Sequence, residues 1–203
     1  MIAIIDYGVG NIFSLYSSFE KIGADICLTA DISVIKKADK LILPGVGAFK
    51  DAAEKLKESG LCDVIMNEVK KGKPILGICL GMQLLFEKSY EYGEYEGLGL
   101  IKGNIIPIEP DVPKNYKIPH IGWNALHFTT PKNELFKYLS ENDCVYFVHS
   151  YYGSNCESSV IATTEYGKEI TAAVSDKNVY GVQFHPEKSG ETGLKILKAF
   201  CEI

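Results

Sequence analysis

The sequence predicts an α/β protein: an open, mostly parallel, twisted sheet flanked by helices, with extra antiparallel strands in the C-terminal half. Two observations support this fold class. Up to about Tyr90, short apolar runs such as Ile2–Ile5 and Lys40–Leu43 alternate with segments of helical apolar periodicity, a pattern typical of parallel sheets covered on both faces. Beyond Tyr90, strand-like segments follow one another at close spacing, which favours antiparallel pairing.

In the N-terminal half, each predicted strand is followed by a helical segment. Strands are predicted at Ile2–Ile5, 25–28, Lys40–Leu43 and in the apolar run that ends at Ile78. Helices are predicted at 12–22, 32–38, 51–59, 61–71, and in the segment after Cys79, through 84–87. The carboxyl ends of such parallel strands share one edge of the sheet, where ligands bind in open α/β folds.

The C-terminal half is predicted to consist mainly of strands and to end in one helix. Strands are expected at 101–108, 122–128, 144–148, 159–164, 170–174 and 179–184. Loops are expected at 90–99 and 111–119, and a helix is expected at 190–202. Because no linker-like composition separates the two halves, we expect a single domain over residues 1–203.

Composition and charge exclude several classes of function. The 203 residues carry a formal net charge of −5, and all 21 basic residues are Lys. Without Arg, the chain lacks the bidentate fork that grips phosphates and base edges, so neither nucleic-acid binding nor unaided phosphate clamping is expected. No apolar run is long enough for a membrane span, and no signal peptide is evident at the N-terminus.

The cysteines and histidines give no indication of a metal site. The six Cys and four His residues are scattered, without the close pairs that metal ligands show. The sequence therefore predicts a reduced, cytoplasmic protein with no metal, no cofactor and no membrane partner.

A candidate nucleophile lies where an apolar strand passes directly into a helix. The segment 77–83 reads Gly-Ile-Cys-Leu-Gly-Met-Gln, with Cys79 at the turn between Gly77 and Gly81. This is the pattern of a nucleophile elbow with cysteine in place of serine. At a helix N-terminus, free N–H groups and the helix dipole favour the thiolate form of cysteine. On its own, this motif is equally compatible with a small buried cysteine.

Candidate partners for this cysteine follow the last predicted strand. His185 and Glu187 are two residues apart, so they face the same side of an extended segment. A cysteine nucleophile needs a base, and the base needs a third group to orient it. His-Pro-Glu alone would more often be a surface turn, but together with Cys79 it predicts a catalytic triad.

The tetrahedral intermediate of acyl transfer requires oxyanion donors. The N–H of Leu80, just after the nucleophile, is one candidate. A second donor is expected from the backbone of Gly45, Val46 and Gly47, where two glycines follow a strand end. Such a loop can point N–H groups into a site.

These motifs make the sequence resemble the class I (triad) glutamine amidotransferases. More closely, it is similar to the glutaminase subunits of imidazole glycerol phosphate synthase, and the resemblance runs end to end. Besides 77–83, the motifs that carry it are Pro-Gly-Val-Gly-Ala-Phe at 44–49, Pro-His-Ile-Gly-Trp-Asn at 119–124, Tyr-Phe-Val-His-Ser-Tyr at 146–151 and His-Pro-Glu-Lys-Ser at 185–189. The resemblance implies a flavodoxin-like sheet.

The resemblance also implies a reaction and a set of roles. L-Glutamine would be hydrolysed through a γ-glutamyl thioester, with Cys79 as nucleophile, His185 as base and Glu187 as its orienting group. Gln83, Glu91 and Ser150 match substrate-binding positions. The choice of Glu91 is open, because Glu87, Glu94 and Glu96 occupy the same region.

The implied partner is a (β/α)8-barrel cyclase subunit that receives the ammonia in a heterodimer. The cyclase would make imidazole glycerol phosphate and aminoimidazole carboxamide ribotide in histidine biosynthesis. Trp123, Asn124, Tyr146 and Lys188 match partner-interface positions. The resemblance also implies that the 44–49 loop withholds an oxyanion N–H until the partner binds its substrate. A peptide flip near Val46, permitted by Gly45 and Gly47, would then gate the glutaminase.

Other functions remain compatible with the sequence. The same glutaminase chemistry could serve another acceptor, such as one in surface-sugar amidation. A free-standing cysteine γ-glutamyl hydrolase would use the same triad without needing interface residues. A non-enzymatic subunit is disfavoured, because none of the three triad residues is missing.

Overall fold

The computed structural model describes residues 1–203 and confirms the predicted fold class. The six α-helices are α1 (Ile12–Lys21), α2 (Ile32–Lys37), α3 (Phe49–Glu58), α4 (Leu61–Lys70), α5 (Leu80–Leu84) and α6 (Gly190–Cys201). The first seven strands are β1 (Ile2–Ile5), β2 (Ile26–Thr29), β3 (Lys40–Leu43), β4 (Ile75–Ile78), β5 (Phe86–Ser89), β6 (Tyr95–Glu96) and β7 (Ile101–Pro107). The other seven are β8 (His120–Ala125), β9 (His127–Phe128), β10 (Cys144–His149), β11 (Tyr151–Ser154), β12 (Val160–Glu165), β13 (Glu169–Asp176) and β14 (Val179–Val182).

An eight-stranded sheet joins strands from both halves of the chain, in the order β2-β1-β3-β4-β14-β13-β12-β9. The pairs among β2, β1, β3, β4 and β14 are parallel, and those from β14 through β9 are antiparallel. Two smaller sheets, β10-β8 and β11-β7-β5-β6, complete the fold. Because β14 pairs with β4 in parallel, the segments that follow Ile78 and Val182 leave the sheet side by side.

The apolar runs form central strands because both faces of the large sheet are covered. Alternate residues of β1 belong to different cores: Ile4 packs on the side of α1 and α6, and Ile5 on the side of α3 and α4. Phe19 and Phe200 are fully buried in the first core, and Phe49 in the second. Burial on both faces explains why these strands lack the alternation of a half-exposed strand.

The predicted helix through 84–87 is wrong. Helix α5 ends at Leu84, and Phe86–Ser89 forms strand β5. The carbonyls of Leu84 and Leu85 accept the N–H groups of Leu98 and Leu100, both at 2.8 Å, instead of continuing a helical ladder. The short strands β6 and β11 are also not predicted. β6 pairs with β5, part of which the sequence assigns to a helix, and β11 pairs with β7, which is distant in the sequence.

The sequence predicts reduced cysteines and no membrane span, and two features of the structure relate to these predictions. All six cysteines are unpaired. None of the helices combines the length and the apolar character that a membrane crossing requires.

Candidate active site

Cys79 is at a strained turn between β4 and α5. Its backbone has φ 54° and ψ −113°, outside the regions that non-glycine residues favour. The N–H of Cys79 donates to the carbonyl of Val182 at 2.8 Å, which ties the turn to β14. A Cβ on Gly77 would lie 2.6 Å from the carbonyl oxygen of Gly81, so the close approach of strand and helix requires glycine. The geometry is that of a nucleophile elbow.

His185 and Glu187 form a buried hydrogen-bonded pair directly after β14. His185 Nδ1 lies 2.7 Å from Glu187 Oε1, and each side chain is only 3% exposed. Because the carboxylate only accepts, the Nδ1–H donates to it. That leaves Nε2 for the interaction with Cys79 that helps to raise the pKa of His185.

Two opposing effects act on the pKa of His185. Burial disfavours the charged ring, but hydrogen bonds and charge interactions with Cys79 and Glu187 outweigh it and raise the pKa to about 10. The His185 ring is therefore favoured in its charged, imidazolium form. Glu187 Oε2 is buried and has no hydrogen-bond partner, so the orientation of this carboxylate depends on its bond to His185.

The main chain of His185 is fixed by a neighbouring strand. The N–H of His185 donates to the carbonyl of Tyr146 at 2.9 Å. The buried hydroxyl of Ser189 accepts from the N–H of Tyr146 and donates to the carbonyl of His185. Sequence motifs do not identify this role of Ser189, because it depends on the docking of β10.

An open cavity of about 310 Å³ lies over the elbow. This volume is at the lower end of the range for ligand pockets. Nine of the residues named from the sequence line it: Val46, Gly47, Cys79, Leu80, Gln83, Glu91, Ser150, His185 and Lys188. The cavity therefore brings together the nucleophile, the base, the loop backbone and one carboxylate.

Gly45 does not line the cavity, in contrast to the expectation for an oxyanion residue. It is buried beneath the loop, and a Cβ there would lie 2.6 Å from the backbone nitrogen of Gly81. Gly45 lets the 44–49 loop pack against α5. Gly47 has φ +93° and open space around its Cα, so it is the glycine that shapes the exposed part of the loop.

Of the four acidic residues that the sequence could not separate, only Glu91 lines the cavity. Its Oε2 accepts the N–H of Phe49, at the start of α3, at 2.6 Å. Burial raises the pKa of Glu91 and the bond from Phe49 opposes that rise. Glu94 pairs with Lys88, and Glu87 accepts the N–H of Gly103.

Gln83 lies in the cavity floor and is held by its amide nitrogen. This nitrogen donates to the carbonyl of Tyr151 at 3.3 Å and to Oε1 of Gln183 at 3.0 Å. Sequence analysis identified neither acceptor as part of the site.

His149 lines the cavity, although the sequence gives it no role. Its Nδ1–H donates to the carbonyl of Tyr151 at 2.8 Å, and its Nε2 lies 3.0 Å from Nδ1 of His120. Burial, reinforced by His120 and His185 and opposed by the hydrogen bond to Tyr151, lowers the pKa of His149 to about 3. His149 is therefore a neutral, structural part of the cavity wall.

Three of the four expected interface residues form one surface patch beside the cavity. The rings of Trp123 and Tyr146 meet edge to face at 6.1 Å, and Lys188 Nζ lies 6.0 Å from the Tyr146 ring. Trp123 is 55% exposed, although a large aromatic ring usually packs inside. Asn124 differs from these three, because its amide contacts the His120 ring and the carbonyl of Glu165.

Comparisons with known proteins identify the family. The family model "Glutamine amidotransferase class-I" matches residues 3–203. The chain therefore belongs to the class I glutamine amidotransferases. Within the family it is 53% identical, over its whole length and 98% of the relative, to imidazole glycerol phosphate synthase subunit HisH from Caldanaerobacter subterraneus subsp. tengcongensis. HisH from Lactococcus lactis subsp. lactis is 52% identical over 99% of the chain and 98% of the relative.

A solved structure supports the fold independently. PurLQS from Thermotoga maritima superposes with a TM-score of 0.77 at 21% identity, covering 99% of this chain and 97% of the other. At this identity the similarity concerns the fold alone.

Proposed function

We propose that this chain is the glutaminase subunit of an imidazole glycerol phosphate synthase and that it hydrolyses L-glutamine to glutamate and ammonia. The observation that carries the proposal is the Cys79–His185–Glu187 arrangement at the cavity. Its support is the full-length similarity to HisH subunits.

The reaction begins with attack of the Cys79 thiolate on the side-chain amide carbon of glutamine. The oxygen of the tetrahedral intermediate is stabilised by the N–H of Leu80 and an N–H of the Val46–Gly47 segment. The His185 imidazolium gives its proton to the amide nitrogen, which leaves as ammonia. The product is a γ-glutamyl thioester on Cys79.

Hydrolysis of the thioester reverses these roles. His185, now neutral, takes a proton from water, and the hydroxide attacks the thioester carbon. The intermediate expels the Cys79 thiolate beside the His185 imidazolium, and the new γ-carboxylic acid gives its proton to water and leaves as glutamate. Glu187 keeps its hydrogen bond to His185 throughout and stabilises the charged ring.

Substrate binding is assigned to residues around the cavity. Glu91 is assigned to the α-ammonium group of glutamine, because it is the carboxylate among the residues that line the cavity. Gln83 and Ser150 are assigned contacts with the rest of the substrate main chain.

The ammonia passes to a (β/α)8-barrel cyclase subunit in a heterodimer. Ammonia released into water at neutral pH would be protonated and lose its nucleophilicity, which favours direct transfer. The patch of Trp123, Tyr146 and Lys188 is the proposed docking surface, with Asn124 beside it. This chain has no Arg, which is consistent with the partner subunit binding the phosphates of the acceptor substrate.

The loop around Val46 is the proposed gate. Val46 is 40% exposed, and Gly47 has a left-handed backbone. A flip of the peptide near Val46 would direct an N–H into the cavity or away from it. The flip depends on Gly47, because Gly45 is held against α5.

The chain is proposed to act as one domain over residues 1–203, in the cytoplasm, without metal or cofactor. Support for one domain is that a single sheet contains strands from both halves. The free cysteines fit a reducing compartment.

An electrophilic glutamine analogue tests the proposed chemistry. We expect it to modify Cys79 in the intact protein, with glutamine slowing the reaction, as measured by peptide mass spectrometry. Cys144 is exposed and serves as the internal control. Modification of Cys144 as fast as Cys79, or no protection by glutamine, would contradict the proposal.

A further inference from the structure

A buried glutamine outside the triad contacts the candidate nucleophile. Gln183 follows β14 and is completely buried. Its Nε2 lies 3.8 Å from the Sγ of Cys79. The same side chain accepts, through Oε1, the hydrogen bond from Nε2 of Gln83 at 3.0 Å.

The orientation of the Gln183 amide follows from its neighbours. The carbonyl of Tyr151 can only accept, so the group that Gln83 presents to it is its amide nitrogen. That nitrogen also faces Gln183, which must therefore present its oxygen. The amide nitrogen of Gln183 is thereby directed at Cys79. A reversed amide would place two NH2 groups against each other and an oxygen against the sulfur.

This arrangement has a direct chemical consequence. A hydrogen bond donated to a charged group favours the charged form, and the effect is strengthened where water is excluded. We propose that Gln183 is a positioning residue that holds Cys79 Sγ in its reactive thiolate form, and that Gln83 sets its orientation. The inference rests on Cys79 being the nucleophile of the proposed glutaminase.

The pH dependence of Cys79 alkylation by iodoacetamide tests the proposal in the unliganded protein. In Gln183→Met, a variant of similar size without the donor, we expect the midpoint of the alkylation profile to rise by about one pH unit. At pH values below both midpoints, this corresponds to about tenfold slower alkylation. The alkylation rate of exposed Cys144 serves as the internal reference and should not change.

A second variant keeps the test decisive if Gln183→Met fails to fold. Gln83→Met leaves the Gln183 amide free to rotate, so the midpoint should rise by a smaller amount. The double variant should show no larger shift than Gln183→Met alone, because Gln83 acts through Gln183. An unchanged midpoint in a folded Gln183→Met or Gln83→Met protein would overturn the inference.

The alkylation test does not depend on glutamine turnover. If a protein without glutaminase activity still shows these shifts, the proposed function fails and the role of Gln183 stands. If the wild-type protein hydrolyses glutamine and the midpoint is unchanged, the role of Gln183 fails alone.

Discussion

The N–H of His185 donates to the carbonyl of Tyr146 at 2.9 Å, which joins the candidate base to strand β10, the strand that contributes Tyr146 to the exposed patch. The ring of Tyr146 contacts Trp123 and Lys188 on the surface, and its main chain holds His185 in the cavity. A partner that docks on the patch would therefore press on the strand that positions the base. Partner binding and glutamine hydrolysis could therefore be coupled through one backbone hydrogen bond, between Tyr146 and His185.

Replacing Glu187 by Gln tests the orienting group. The variant keeps the shape but removes the charge that helps to raise the pKa of His185. We expect glutaminase kcat to fall by about 10²–10⁴-fold, as for the loss of the carboxylate in comparable triads. The fall in kcat is measured by steady-state glutamate release. Glu191→Gln, an exposed change on α6, is the control and should leave kcat unchanged; equal activity of both variants would exclude the role.

Replacing Glu91 by Gln tests substrate binding. Loss of a charged hydrogen bond costs about 1.5–3 kcal/mol, so the KM for glutamine should rise by about 10–100-fold with a smaller effect on kcat. Glu94→Gln is the matched control, because Glu94 lies in the same region but pairs with Lys88 on the surface. A KM effect in Glu94→Gln alone would move the assignment to that residue.

Replacing Gly47 by Ala tests the gate. At φ +93°, an L-residue is strained by about 1 kcal/mol or more, so the observed loop conformation should be populated less. We expect basal glutaminase activity to rise and the stimulation by the partner to fall, by about fivefold. Rates with and without the partner measure this ratio. Gly45→Ala is unsuitable, because its Cβ would clash with α5. A stimulation ratio equal to that of the wild type would contradict the gate.

Acid pH should destabilise the protein through His149. Its pKa is about 3 in the folded chain and about 6.5 when unfolded. Between these values the unfolded state binds more protons, so the free energy of unfolding decreases as the pH falls below 6.5.

The matched variants are His149→Asn and His127→Asn. Between pH 7 and pH 5, the wild type should lose about 2 kcal/mol more stability than His149→Asn, as measured by urea unfolding. The exposed His127→Asn variant should behave like the wild type. If His149→Asn showed the same loss as the wild type, His149 would not be buried as a neutral ring.

The sequence predicts the parts of the site that depend on local patterns. The elbow at Cys79 and the His185–Glu187 pair lie in short motifs at strand ends, where residue order alone brings the groups to one edge. The end of α5 at Leu84 could not be predicted, because segment 98–101 supplies the competing hydrogen bonds. The contact of Gln183 with Cys79 depends on the register between β14 and β4, and the packing role of Gly45 depends on the approach of α5.

The most direct test of the central claim is glutamate release from glutamine by this chain alone and with a purified cyclase subunit and its substrate analogue. We expect low release by the chain alone and strong stimulation in the complex, lost in Cys79→Ala and weakened in Trp123→Ala. Leu28→Ala, a change to an exposed residue of edge strand β2, is the control for surface substitution. High release by the chain alone, unaffected by the cyclase, would contradict a partner-gated subunit and indicate a free-standing hydrolase or another acceptor.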